Sequence, residues 1–314
     1  MTCFISLGLE DIMRHKKGDD VNGWLIVDKP RDMGSTSVVN LTRRLFNAKK
    51  NGHAGTLDPF ATGVLPVAFG EATKILPYVT DGEKEYEFVV QFGAFTNTDD
   101  SEGEIIETSD ITPSKEDIEQ VIPLFVGKIK QVPPVYSAIK IDGQRAYKLA
   151  RKGQDVEIPE REIEIFDLQL LDENANRQAK FKVRCSKGTY VRTLGRDIAV
   201  KLGAKGYLQE LRRTKCGKFS IDDAILLENL KKIVHIDDLK KNLLPLETSL
   251  RDIADLAVSE ADAIKLKQGQ GLSPRAYDVS KYLGQEMAVF SLGKLVAIVR
   301  VDEKRISPIR VFNL

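Results

Sequence analysis

The densest group of chemically capable residues in the chain is Gly52 to Gly63, GHAGTLDPFATG, where three glycines, a histidine and an Asp-Pro step share twelve residues. A loop with so little side-chain bulk lets backbone pack closely and can present a carboxylate, Asp58, for nucleophilic work. On composition alone a plainer account is the better one: Asp58 initiates a turn or caps a helix before Pro59. His53, flanked by glycine, reads as readily as a structural hydrogen-bonding residue as a functional one. Further along, Arg192 and Arg196 stand four apart beside an apolar stripe of Val191, Leu194, Ile198 and Leu202. They share another helix face, which by itself reads as solvated. Tyr86 falls in an alternating run and by itself reads as strand core.

The chemistry open to these residues is bounded by what the sequence lacks. It contains no G-x-x-x-x-G-K-[ST] loop, no G-x-G-x-x-G turn and no G-x-S-x-G elbow. Cys3, Cys185 and Cys216 and His15, His53 and His235 are far apart, with no C-x-x-C or H-x-x-x-H spacing, so no metal is expected. What is left is a reaction that needs no cofactor. Three scattered cysteines give no disulfide framework and fit a reducing, cytoplasmic compartment. No apolar run reaches the length of a membrane span, and the first residues lack the basic segment of a signal peptide.

The elements that must position such residues alternate without a regular βαβ period. Residues 23–30 read as a strand ending at Pro30, and Ser35 to Asn47 as a capped helix. Glu85 to Phe95, Ile163 to Leu171 and Ala179 to Cys185 read as strands. Ser114-x-x-Asp117 opens a helix as a capping box, and the chain turns helical again after Thr189. Beyond Pro245 come one helix, Ser259 to Gln268, two strands joined around Gly293-Lys294, and a last strand, Ile309 to Phe312. The expected fold class is α+β, a mixed, mainly antiparallel sheet carrying a small β-rich carboxy-terminal module. With 314 residues, about two domains are expected: a polar arm over 1–20, a main domain over 21–245 and the module over 246–314.

Charge is segregated along the chain although the formal total is only +1. Lys180 to Ser220 holds twelve basic and two acidic residues, while Asp81 to Gln120 holds two basic and thirteen acidic. Lys29 to His53 and Lys128 to Lys152 also lean basic. If folding joins the three basic windows they form a polyanion-binding face; the alternative is scattered, solvated lysine and arginine. The acidic run Asp99 to Glu107 would repel a polyanion, so it is expected away from such a face or at a loop tip.

GHAGTLDPFATG closely resembles the signature of the bacterial tRNA pseudouridine synthase B family, and other blocks agree in order. WLIVDKPRDMGSTS (24–37) resembles that family's lysine-proline motif, and Lys84-Glu85-Tyr86 with Gly93 its tyrosine motif. QVPPVYSAIK (131–140) is similar to its next block, and CSKGTYVR (185–192) with Leu211-Arg212-Arg213 resembles its arginine motif and the following strand. The resemblance implies the pseudouridine synthase fold, with a carboxy-terminal module similar in length and strand order to the PUA-like pseudo-barrel. It implies isomerisation of uridine to pseudouridine at position 55 in the T arm of tRNA, with Asp58 as nucleophile, Tyr86 against the target uracil and Arg192 as partner of the aspartate. His53 would lie near a flipped nucleotide, Lys29 would support the loop, and Tyr190 and Leu211 would wall the pocket. The implied partner is the tRNA T-arm stem-loop, bound by a monomer without an obligatory protein partner, cofactor or membrane. An RNA-binding folding chaperone, and a guide-RNA-dependent relative that modifies ribosomal RNA, are the rival readings.

Overall fold

Trp24-Leu25-Ile26-Val27 is apolar without alternation, the pattern of a strand buried on both faces. In the computed structural model, which describes residues 18–314 except 138, 142, 147, 148, 150–157 and 175, this run is the core of β1 (Gly23–Lys29). Leu25 and Val27 pack into one hydrophobic core, while Trp24 and Ile26 pack into a second on the opposite face. The expected arm over 1–20, with Cys3 and His15, lies outside the described residues up to residue 17.

Helix α1 spans Ser35–Leu45. Seven strands join β1 in the main path: β2 (Thr62–Phe69), β3 (Lys84–Phe92), β4 (Gly127–Gln131), β5 (Arg161–Asn174), β6 (Gln178–Cys185), β7 (Gly206–Cys216) and β8 (Ile225–Leu226). Their spatial order is β8-β1-β2-β7-β3-β6-β5-β4. The β8–β1 and β7–β2 contacts are parallel, and every other neighbour in the path is antiparallel, giving the mixed, mainly antiparallel sheet the sequence suggests. Helix α2 (Val191–Lys201) packs Leu194 and Ile198 into the first core.

The carboxy-terminal strands β9 (Ala254–Ala257), β10 (Glu286–Ser291), β11 (Lys294–Val301) and β12 (Ile306–Val311) form a separate sheet in that order. Helix α3 (Glu260–Lys267), capped by Ser259, covers it. The second core joins this sheet to the main one through Trp24, Phe219, Leu250, Ile298 and Phe312. Trp24 lies 5.2 Å from the Phe219 ring, and its indole N–H donates to Leu246 O at 3.2 Å. Among the described residues no helix is long and apolar enough to cross a membrane.

Three local expectations are corrected. The expected strand Glu85 to Phe95 breaks at Gly93, whose φ of +115° turns the chain into a short second strand, Ala94–Thr96. Helix α1 ends at Leu45, and its N-cap is Gly34 rather than Ser35. The Ser35 hydroxyl is diverted: it accepts from Leu57 N at 2.8 Å and donates to Leu57 O at 2.9 Å. The capping box at Ser114 and Asp117 forms as the spacing predicts.

The charge segregation is in large part sheet register. Antiparallel pairing of β6 with β3 sets Lys180 against Glu87 (2.7 Å), Lys182 against Glu85 (3.3 Å) and Arg184 against Glu83 (3.4 Å), with Lys187 near Asp81 (3.1 Å) just beyond. The most basic and most acidic windows thus meet each other across the sheet. Half-exposed pairs of this kind contribute about 0–1 kcal/mol each, so their main effect is to favour one register.

Gly63 shows how tightly the signature loop is seated. Its φ is +99°, and a Cβ there would come within 2.2 Å of Arg213 O on β7. Gly63→Ala is therefore expected to cost about 3–4 kcal/mol, read as a lowered urea midpoint with an unchanged m value.

Candidate active site

The Gly52–Gly63 loop is fixed from four directions. Arg213, fully buried on β7, donates to Gly55 O at 2.9 Å and to Val64 O at 2.8 Å. Ser35 holds Leu57 from α1, and Lys29 holds Pro59 O at 3.0 Å from the end of β1. From within the loop, Ala54, Leu57, Phe60 and Ala61 are buried in the cores. Ala61 N donates to Asp58 O at 3.2 Å, so Asp58 does begin a turn, as composition suggests. That turn uses the main-chain carbonyl and leaves the carboxylate to project elsewhere.

It projects into a cavity of about 880 Å³ that Asp58, Tyr86, Tyr190, Arg192 and Leu211 all line. Arg192, only 4 % exposed, comes from the first turn of α2, and its Nε lies 2.9 Å from Asp58 Oδ2. The solvated-face reading of Arg192 is overturned, since every part of the guanidinium meets oxygen. Nη1 donates to Thr98 O at 2.8 Å and to Asp100 Oδ2 at 3.3 Å, and Nη2 donates to Tyr136 O at 2.8 Å. Arg196, a turn later, pairs with Asp99 at 3.0 Å.

Asp99 and Asp100 fall in the loop between the paired strands Ala94–Thr96 and Ile105–Thr108, in keeping with the loop-tip alternative, but the loop turns inward: Asp100 is buried, lines the cavity and shares Arg192 with Asp58. The reason is electrostatic: two arginines four apart on one helix face need counter-charges once buried, and adjacent aspartates supply them.

Asp58 remains 37 % exposed at its side chain, in the lining of the cavity. The protein enclosing it pushes its pKa above the usual carboxylate range. Arg192 opposes that rise most strongly, Asp100 adds to it, and Lys29 opposes it.

Tyr86, on β3, is buried with its pKa raised to about 12, mainly by desolvation and against the opposing charge of Arg213. Its ring therefore stays neutral and presents an aromatic wall. Leu211, from β7, adds an apolar wall, and Tyr190 lies directly before α2.

Lys29 and His53 are placed outside the cavity lining. Lys29 is fully buried and donates to Pro30 O (2.9 Å) and Met33 O (2.6 Å) as well as Pro59 O, joining the chain after β1 to the signature loop. Burial lowers its pKa to about 8, against the pull of Asp58. Lys29→Met leaves three carbonyls without this donor. It is expected to cost about 3 kcal/mol of stability, measured by urea unfolding. His53 is partly buried; among the described residues its Nδ1 has no hydrogen-bond partner, and burial lowers its pKa, helped by the charge on Arg213.

Sequence reasoning left out Asp100, Thr98, Tyr136 and Arg213. Tyr136 and Arg213 sit in blocks that carry the family resemblance, and the Asp99-Asp100 pair is the acidic complement of Arg192 and Arg196.

Two family profiles match adjoining segments of the chain: TruB family pseudouridylate synthase, N-terminal domain, over residues 43–191, and tRNA pseudouridylate synthase B C-terminal domain over 192–251. The chain belongs to the TruB family of pseudouridylate synthases. It is thereby an isomerase, and the expected fold and reaction class hold. Curated TruB-family relatives extend the match to nearly the whole length. The tRNA pseudouridine synthase B of Caulobacter vibrioides is 46 % identical over 307 residues, covering 96 % of this chain and 99 % of the relative. That of Bradyrhizobium diazoefficiens is 47 % identical over 300 residues, covering 94 % and 87 %. Among solved structures, a Cbf5-Nop10-Gar1 complex contains a chain that aligns with TM-score 0.70 and 25 % identity, covering 93 % of this chain and 84 % of that one. An H/ACA RNP bound to a substrate RNA containing 2'-deoxyuridine aligns with TM-score 0.70 at 21 % identity, over 95 % and 93 %, and supports the fold alone. The family profiles divide at 191/192, inside the segment that carries the site, whereas the four-stranded sheet begins only at Ala254.

Proposed function

We propose that this chain isomerises uridine to pseudouridine at position 55 in the T arm of tRNA, using Asp58 as nucleophile on a flipped nucleotide and no cofactor. The observation that carries the reading is the Asp58 carboxylate, ion-paired with Arg192 in a cavity also lined by Tyr86, Tyr190 and Leu211. The names of the curated relatives support tRNA as substrate.

The reaction breaks the bond from N1 to the ribose C1′, turns the uracil and joins C5 to C1′; N1 gains a proton and C5 loses one. Nothing is oxidised or hydrolysed, so no group donor is needed. The demands are a nucleophile that traps the sugar or base during the turn, and a pocket that shields the intermediate from water. Asp58 supplies the first. Arg192 orients it and favours its charged form. Tyr86 packs on the uracil, Tyr190 and Leu211 confine it, Lys29 keeps the loop in place, and His53 lies near the flipped nucleotide. Unstacking costs a few kcal/mol, offset by contacts with RNA elsewhere. Residues 246–314 act as a PUA-like RNA-binding module on the catalytic domain of 21–245, and the enzyme works as a cytoplasmic monomer without an obligatory protein partner.

The test is to incubate the purified chain with unmodified full-length tRNA and with an isolated T-arm stem-loop, then map pseudouridine base by base. Modification confined to uridine 55 in both RNAs is expected. Modification elsewhere, or only when a protein or guide RNA is added, would overturn the assignment.

A further inference from the structure

Gln131 and Arg161 are directly opposite each other where β4 pairs with β5. Gln131 is 2 % exposed, and both ends of its amide are spent on one residue of another element. Its Oε1 accepts from Tyr190 N at 2.8 Å, and its Nε2 donates to Tyr190 O at 3.0 Å. Tyr190 is the N-cap of α2; the same carbonyl takes the first helical hydrogen bond, from Leu194 N at 3.0 Å. Arg161 completes the grip from the side: its guanidinium carbon lies 4.5 Å from the Tyr190 ring centroid, and its Nη2 donates to Gly188 O. Among the described residues its buried Nε has no hydrogen-bond acceptor, and the guanidinium as a whole sits over the aromatic face.

One cross-strand pair thus holds the main chain and the ring of the residue that starts α2. Arg192 follows two residues later, and the strand that ends at Gln131 leads on to Tyr136, whose carbonyl receives Arg192 Nη2 at 2.8 Å.

We propose that Gln131, with Arg161 beside it, is a positioning residue that sets the start of α2, so that Arg192 meets Asp58 and Tyr190 stands in the cavity wall. The inference rests on the isomerase reading above. Gln131 touches none of the reacting atoms; its effect passes through Tyr190 and Arg192.

The test uses the full-length chain and single-turnover isomerisation of a T-arm stem-loop across pH. Asp58 is faced by Arg192, Lys29, Asp100 and Glu102, so a displaced Arg192 weakens the strongest influence holding its carboxylate ionised. Gln131→Leu is expected to slow the chemical step about 10- to 100-fold. Stem-loop affinity should stay within about 3-fold, and the acid limb of the rate–pH profile should move to higher pH. Gln131→Glu keeps the acceptor for Tyr190 N and loses the donor to Tyr190 O; it is expected to fall between the two, and it carries the test if the leucine variant does not fold. Wild-type rates in a folded variant would overturn the proposal. So would a slow variant whose acid limb has not moved, because a loss of general stability leaves that limb in place. An Asp58→Asn control separates the two levels: if it is active, the isomerase reading itself fails and this inference goes with it.

Discussion

Asp58→Asn is expected to lower pseudouridine formation by at least about 10⁴-fold while leaving stem-loop affinity within a few-fold of wild type. The asparagine is nearly isosteric and can still face Arg192, but it offers no anionic oxygen to trap the sugar or base. The fold should not pay for the change. Burial in the cavity raises the Asp58 pKa above that of an unfolded chain, so the folded state holds its proton more tightly. The contribution of Asp58 to stability is therefore most favourable at low pH and is lost as pH rises through the folded pKa. Near neutrality the charged carboxylate is a burden that Arg192 only partly relieves, and Asp58→Asn is expected to be at least as stable as wild type in urea. Loss of activity with undiminished stability is the signature of a residue kept for chemistry rather than for folding.

Arg192→Met carries the second large effect, and here activity and stability fall together. The guanidinium serves Asp58 and the buried Asp100 at once, and it also donates to Thr98 O and Tyr136 O. Removing it strands Asp100 without this counter-charge, at a cost of about 3 kcal/mol or more. It also removes the strongest influence opposing the raised Asp58 pKa, so that pKa rises further. Because the carboxylate is the reactive form, the acid limb of the single-turnover rate should move to higher pH. Even on the plateau a loss of about 10³-fold is expected, because the carboxylate is no longer held in place. Arg192→Lys keeps a charge but not the planar fork that spans two carboxylates and two carbonyls, and it should recover only part of either loss.

Much of this arrangement was legible in the sequence because it is written in local patterns. The unbroken apolar run of β1, the alternation in β6, the capping box at Ser114 and the helix after Thr189 each follow from neighbours in sequence. The Asp58 loop was legible as a motif, and its role only through family resemblance, since an aspartate before proline is ordinarily a turn former and Asp58 does begin a turn. What stayed hidden depends on register and burial. Asp100 read only as part of an acidic run, away from an RNA face or at a loop tip, because nothing local shows that it is buried against Arg192. The basic windows left open a polyanion face or scattered, solvated side chains, and nothing local showed that the β3–β6 register pairs several members of the most basic window with the acidic one. Ser35 read as a cap by type, yet its hydroxyl is committed to Leu57, a partner 22 residues away.

The most direct test of the central claim is tritium release from C5-labelled uridine in a T-arm stem-loop, using the purified wild-type chain treated with chelator and given no nucleotide. The account predicts one tritium released for each uridine converted, because C5 exchanges its hydrogen for the bond to C1′. Salt-sensitive binding of the stem-loop without release of tritium would contradict it.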